Sequence, residues 1–170
     1  MPIIRSLVPF LDKPEYTALE LAEEVLDIIE EEPRRVDQTN WCVLVPKSAA
    51  PCGTRACMAG WTVQLAFGDV FRFMLGDIPR LARMLLAGPE EYSSPDYDEW
   101  TWEDHKTNER QYALQSTFGS YHGEDWPAGS VEHMQEASGP FRAWIANNRE
   151  FLAARILTPE IRAQMLTTVR

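Results

Sequence analysis

Cys52-Gly53-Thr54-Arg55-Ala56-Cys57-Met58-Ala59-Gly60-Trp61 decides how this chain reads, and it speaks of architecture before chemistry. Gly53, Ala56, Ala59 and Gly60 are small enough to let backbones approach closely, and two thiols flank the centre of the stretch. Thr54 is expected to cap a helix that ends at Gly68, with Cys57, Trp61 and Leu65 on its inner face. Gly60 is expected to face a neighbouring helix over residues 15–32, with Trp61 supplying a large buried surface. The structural set is therefore Cys52, Gly53, Thr54, Cys57, Gly60 and Trp61. Nothing in the stretch spells a catalytic or cofactor motif.

Upstream, residues 15–32 form the cleanest helical pattern. Ala18, Ala22, Val25, Leu26 and Ile29 recur at helical spacing, and Glu20, Glu23, Glu24, Asp27 and Glu30 fill much of the rest. Pro14 sits near its first turn and Pro33 closes it. Glu30, Glu31 and Glu32 put negative charge at the negative end of the helix dipole, and Arg34 and Arg35 follow to offset it. Residues 41–45, bounded by Asn40 and Pro46, read as a short strand whose partner the pattern does not name.

Downstream, Asp77 is expected to cap a helix over 79–87, stopped by Gly88-Pro89. Residues 90–104 break the pattern and read as an irregular, exposed connection. A helix over 108–118 ends at Gly119, and residues 120–139 are rich in turn formers. Two closing helices follow over 140–156 and 159–169, the second with Thr158 as N-cap and Pro159 in its first position. The predicted fold is mainly α: a single compact domain over 1–170, of five to seven helices, with room for a short two-stranded β element near 41–45.

A length of 170 residues suits one core rather than two. A hydrophobic fraction of 45% argues against wholesale disorder. No apolar run reaches the roughly 18 residues that a membrane-crossing helix needs. Met1 to Phe10 resembles a signal peptide only faintly, since Arg5 and Pro9 break its apolar run and no small-residue cleavage site follows. The chain is expected in the cytoplasm, without membrane association. The net charge of −10 argues against direct nucleic-acid binding. Charge is uneven: residues 86–136 carry 12 acids and 2 bases, whereas residues 137–170 carry 2 acids and 5 arginines.

Three cysteines cannot all pair within one chain, and free buried thiols are the default in a reducing compartment. A zinc site would need Cys42, Cys52 and Cys57 to converge with His105, His122 or His133. A nucleophilic Cys57 would draw on a helix dipole and on Arg55 to lower its pKa, but no histidine stands in a recognisable catalytic context. Glu23 with Asp27, and Glu99 with Glu103, have one-turn spacing without a Glu-x-x-His set, so they read as solvated acids. No glycine-rich phosphate loop occurs. No catalytic residue, metal or cofactor is assigned.

The remaining candidate is the aromatic, acidic segment before residue 105. Tyr92, Tyr97, Asp98, Glu99, Trp100 and Trp102 read as a partner-binding surface, with aromatic anchors and an acidic rim. The competing reading folds Trp100 and Trp102 back over the core.

Taken together, the acidic helix, Val36-Asp37-Gln38-Thr39-Asn40-Trp41 and the cysteine stretch resemble a group of small uncharacterised proteins of actinobacteria and their phages. Those proteins share an Asp-Gln…Trp element followed by Cys-Gly-Thr-x-x-Cys-x-Ala-Gly-Trp or close variants. The resemblance covers less than a third of the chain. It implies a phage or prophage origin, which the excess of arginine over lysine fits, and it implies no activity. The functional expectation is a non-enzymatic, phage-encoded protein that binds a host protein in the cytoplasm. The alternatives are a small enzyme or zinc-binding protein built on Cys52, Cys57 and a histidine, and an acidic DNA mimic that blocks a host enzyme.

Overall fold

In chain order the elements are β1 (Tyr16–Thr17), α1 (Ala18–Glu31), a 3-10 turn (Pro33–Arg35), β2 (Cys42–Leu44), β3 (Thr54–Ala56) and α2 (Met58–Phe67). A second 3-10 turn (Val70–Arg72), α3 (Asp77–Ala87), α4 (Trp102–Gly119), α5 (Val131–Asn147), α6 (Arg149–Ala154), β4 (Ile156–Leu157) and α7 (Pro159–Leu166) follow. This computed structural model describes residues 13–50, 52, 54–88, 101–119 and 125–169. Among them the fold is mainly α, with seven α-helices and two short antiparallel strand pairs. None of these helices is long and apolar enough to cross a membrane.

Thr17 sets where α1 begins. Its hydroxyl accepts from the Glu20 N–H at 3.1 Å, and the Glu20 carboxylate accepts from the Thr17 N–H at 2.7 Å. The helix starts three residues later than the pattern suggests, because Tyr16 and Thr17 are extended and pair with Leu157 and Ile156. At the other end the buried Arg35 donates to Ile28 O at 3.1 Å, satisfying one of the last carbonyls of α1. The arginines after the acidic helix end therefore do the offsetting that the charge pattern called for. Leu21, Ala22, Val25, Ile28 and Ile29 are buried, and α1 packs against α2, α3, α5 and α6.

Several boundaries differ from expectation for local reasons. Asp77 lies within the first turn of α3 rather than capping it; Gly76 holds the cap position without a side-chain bond. The segment 101–104 is not irregular. Thr101 Oγ1 accepts from the Asp104 N–H at 3.2 Å, the Asp104 carboxylate accepts from the Thr101 N–H at 2.6 Å, and α4 starts at Trp102 rather than at 108. Gly139 and Pro140 do not break the chain. Ser130 caps α5 by accepting from the His133 N–H at 3.2 Å, and Met134, Ala137, Phe141, Trp144 and Ile145 are buried on both sides of the proline. Packing there outweighs the local cost of a proline in a helix. The break comes at Asn148, which divides the expected 140–156 helix into α5 and α6. Thr158 caps α7 as predicted, accepting from the Ile161 N–H at 3.2 Å.

Candidate functional site

The cysteine stretch holds the missing strand. Thr54–Ala56 pairs antiparallel with Cys42–Leu44, in register Cys42↔Ala56, so Thr54 is a strand residue and not a helix cap. The cap of α2 is Cys57, whose Sγ accepts from the Gly60 N–H at 3.4 Å. Gly68 ends α2 in a left-handed conformation at φ 84°, as the sequence suggested.

Each residue around this junction has a packing or bonding task. A Cβ on Gly60 would overlap the carbonyl oxygen of Trp41 and come within 2.7 Å of Ala56 Cβ. Gly60 therefore faces the strand pair and its lead-in, not α1, although α2 as a whole packs on α1. Trp61 Nε1 donates to Arg35 O at 3.1 Å. Arg55 donates to Arg34 O at 2.9 Å and to Ala49 O at 3.1 Å, clamping two loops.

Gln38, from the Asp-Gln element, is the hub. Its amide nitrogen donates to Thr117 O and Phe118 O at the end of α4, at 3.3 and 3.1 Å. Its amide oxygen accepts from the Met58 N–H at the start of α2, at 3.3 Å. Its backbone N–H donates to His133 Nε2 at 2.9 Å, while His133 Nδ1 lies 3.2 Å from Trp126 O. These partners assign the ring proton to Nδ1. One buried side chain thus joins the ends of α2 and α4, and its backbone holds the start of α5.

The thiols are placed for packing. Burial pushes the Cys57 thiol up to about 12, overriding the hydrogen bonds from Gly60 and Ala59 that favour the thiolate. The lowering that a nucleophilic Cys57 would draw from a helix dipole is therefore outweighed by burial. Burial, and then Asp69, raise the Cys42 thiol as well. Cys52 Sγ donates to Thr54 O at 3.1 Å. Among the described residues no three His, Cys, Asp or Glu side chains gather as a metal site. Gly53 lies outside the described residues.

Of the aromatic and acidic candidates, Tyr92, Tyr97, Asp98, Glu99 and Trp100 lie outside the described residues, so Trp102 represents the segment. Trp102 opens α4 and is 70% exposed, which removes it from the core-cover reading. The inward side of α4 carries Gln111, Leu114, Thr117 and Phe118. Phe118 meets Phe141 at 5.9 Å between ring centroids, and Gln111 donates to Gly88 O at 2.8 Å, which together fix the helix. Its solvent face presents Trp102, His105, Glu109, Tyr112 and Ser116, with Tyr112 73% exposed. Tyr112 lies within the expected 108–118 helix but was not singled out, because the buried side of that helix mixes Gln111 and Thr117 with Leu114 and Phe118 and shows no clear apolar stripe. Its signal was an aromatic residue one position away from the buried Gln111.

No protein-family model, curated protein or solved structure matches this chain.

Proposed function

We propose that this chain is a non-enzymatic binding protein that recognises another protein through the solvent face of α4. The observation that carries the reading is the pairing of Trp102 and Tyr112, 70% and 73% exposed, on the outward side of one well-anchored helix. Large aromatic rings left in water on a rigid element are the residues that interfaces bury as anchors. The acid excess of residues 86–136 favours a basic partner and faster encounter with it. The resemblance of residues 20–68 to actinobacterial and phage proteins supports a phage-encoded protein whose target is a host protein in the cytoplasm.

The competing chemistry has less support. A Cys/His enzyme or zinc protein built on Cys57 would need a thiol that is sealed in the core, and His133 would bring to it a ring already bonded to Gln38 and Trp126 O. A DNA mimic would want an uninterrupted row of carboxylates, whereas Lys106 and Arg110 interrupt the acids of α4.

The test measures melting temperature and partner recovery on the same variants in the host. Trp102→Ala and Tyr112→Ala should keep the wild-type melting temperature and lose the co-purifying partner. Recovery of the partner at wild-type levels by both variants, or loss that follows unfolding, would remove the α4 surface from the account.

A further inference from the structure

A second feature of α4 points to a small ligand. Lys106 and Arg110 stand one turn apart and face the α5–α6 junction across a cleft of about 790 Å³, lined also by Asn147, Arg149, Glu150 and Phe151. Among the described residues the cleft gathers three cations against one carboxylate in a chain of net charge −10. Arg155 adds to the field from behind, held by Met84 O and Leu85 O at 2.7 and 2.9 Å and repelled by Arg110.

The way the cations are held matters most. The Arg110 guanidinium lies 3.7 Å from the centroid of the Phe151 ring, and Lys106 Nζ lies 5.1 Å from that of Trp102. A ring fixes a cation without cancelling its charge, as an ion pair would. Among the described residues Arg110 donates from Nη2 to Thr107 Oγ1 at 3.0 Å, its buried Nε has no partner, and Nη1 makes no bond. Among the described residues Lys106 has Glu103 as its acidic neighbour at 3.9 Å, while Arg149 is engaged by Glu23 at 2.8 Å. Glu103 and Glu109 act on Arg110 only through space, along its own helix.

We infer that this cleft binds the phosphate group of a small phosphorylated molecule. Arg110 Nη1, Lys106 Nζ and the Asn147 amide supply donors from three residues, matching the three terminal oxygens of a phosphate monoester. A carboxylate, with two oxygens, uses them less fully.

The test is a titration of the ¹⁵N-labelled chain with inorganic phosphate at constant ionic strength, following the Arg110 Nε–H and Asn147 side-chain signals. A saturable shift with half-saturation of about 1 mM is expected, weakened about tenfold in Arg110→Gln and several-fold in Lys106→Gln. Tighter binding of adenosine monophosphate or of O-phosphoserine than of inorganic phosphate supports the site and names the source of the phosphate. Acetate binding as tightly as phosphate overturns the assignment. So does the absence of saturation up to about 50 mM, or equal binding by wild type and Arg110→Gln. Should Arg110→Gln lose its fold with the Phe151 stack, Lys106→Gln, at a half-buried position, decides by the same readout. Several-fold weaker binding then upholds the site, and unchanged binding overturns it.

Discussion

The junction around Gln38, Cys57 and Gly60 and the outer face of α4 are opposites built from similar residue types. Both contain aromatic rings, polar groups and a histidine. At the junction, Trp61 Nε1, the Gln38 amide and the His133 ring each reach a partner within the chain, and the cysteine that looked reactive is sealed in. On α4, Trp102 and Tyr112 stand in water on a helix whose inner side is already anchored. A distinctive sequence is therefore no guide to where chemistry is available. The distinctive stretch spends its groups on holding elements together, and the plain helix leaves Trp102 and Tyr112 mostly in water.

The contrast predicts a graded series of effects. The largest belongs to Gly60→Ala. A methyl group there would overlap the backbone of Trp41, with strand and helix both unable to yield, so unfolding free energy should fall by about 3 kcal/mol or more. Chemical denaturation that shows no loss would mean that the strand pair is not packed on α2.

Gln38→Ala comes next. It strands the Met58 N–H and the end of α4 without partners, each buried group costing about 1–3 kcal/mol. The same denaturation series measures it, and Gln38→Glu should be nearly as damaging, since the amide donors are what α4 needs.

Trp102→Ala and Tyr112→Ala should each cost on the order of 2 kcal/mol of partner binding and less than about 0.5 kcal/mol of stability. Affinity and melting temperature on one set of proteins separate the two terms.

The smallest effect is at the start of α1. The Thr17 N–H holds the Glu20 carboxyl below its ordinary value of 4.5. A carboxylate with a lowered folded pKa stabilises the protein above that ordinary value and stops doing so as pH falls through the folded one. Because Glu20 is exposed, solvent screening keeps the contribution small. Melting temperatures of Glu20→Gln and wild type should differ at about pH 6, and the difference should shrink as the pH falls below 4.5.

Much of the helical framework was legible because periodicity and caps are local. Ala18 to Ile29 showed one apolar stripe, Gly68 ended α2, and Thr158-Pro159 opened α7. What was illegible depended on contacts across the chain. Thr54 has the right chemistry for a cap, but Cys42–Leu44 recruits it as a strand, and that pairing joins segments twelve residues apart. Gly139-Pro140 looks like a helix breaker until Phe141 and Trp144 are seen packed in the core. The role of Gln38 had no local mark, since its partners lie at residues 58, 117, 118 and 133. For the candidate surface, Trp102 was legible as an aromatic among acids, whereas the outward direction of Tyr112 depends on the tertiary contacts that bury Gln111, Leu114, Thr117 and Phe118.

Photocrosslinking in the host puts the division between junction and surface to the test. A benzophenone side chain is placed at residue 102, at residue 112, or at the exposed Leu44 on β2. Positions 102 and 112 should capture the same single partner, and Leu44 should capture none. Capture from Leu44 alone, or no discrete product from either α4 position, would contradict the assignment of recognition to α4.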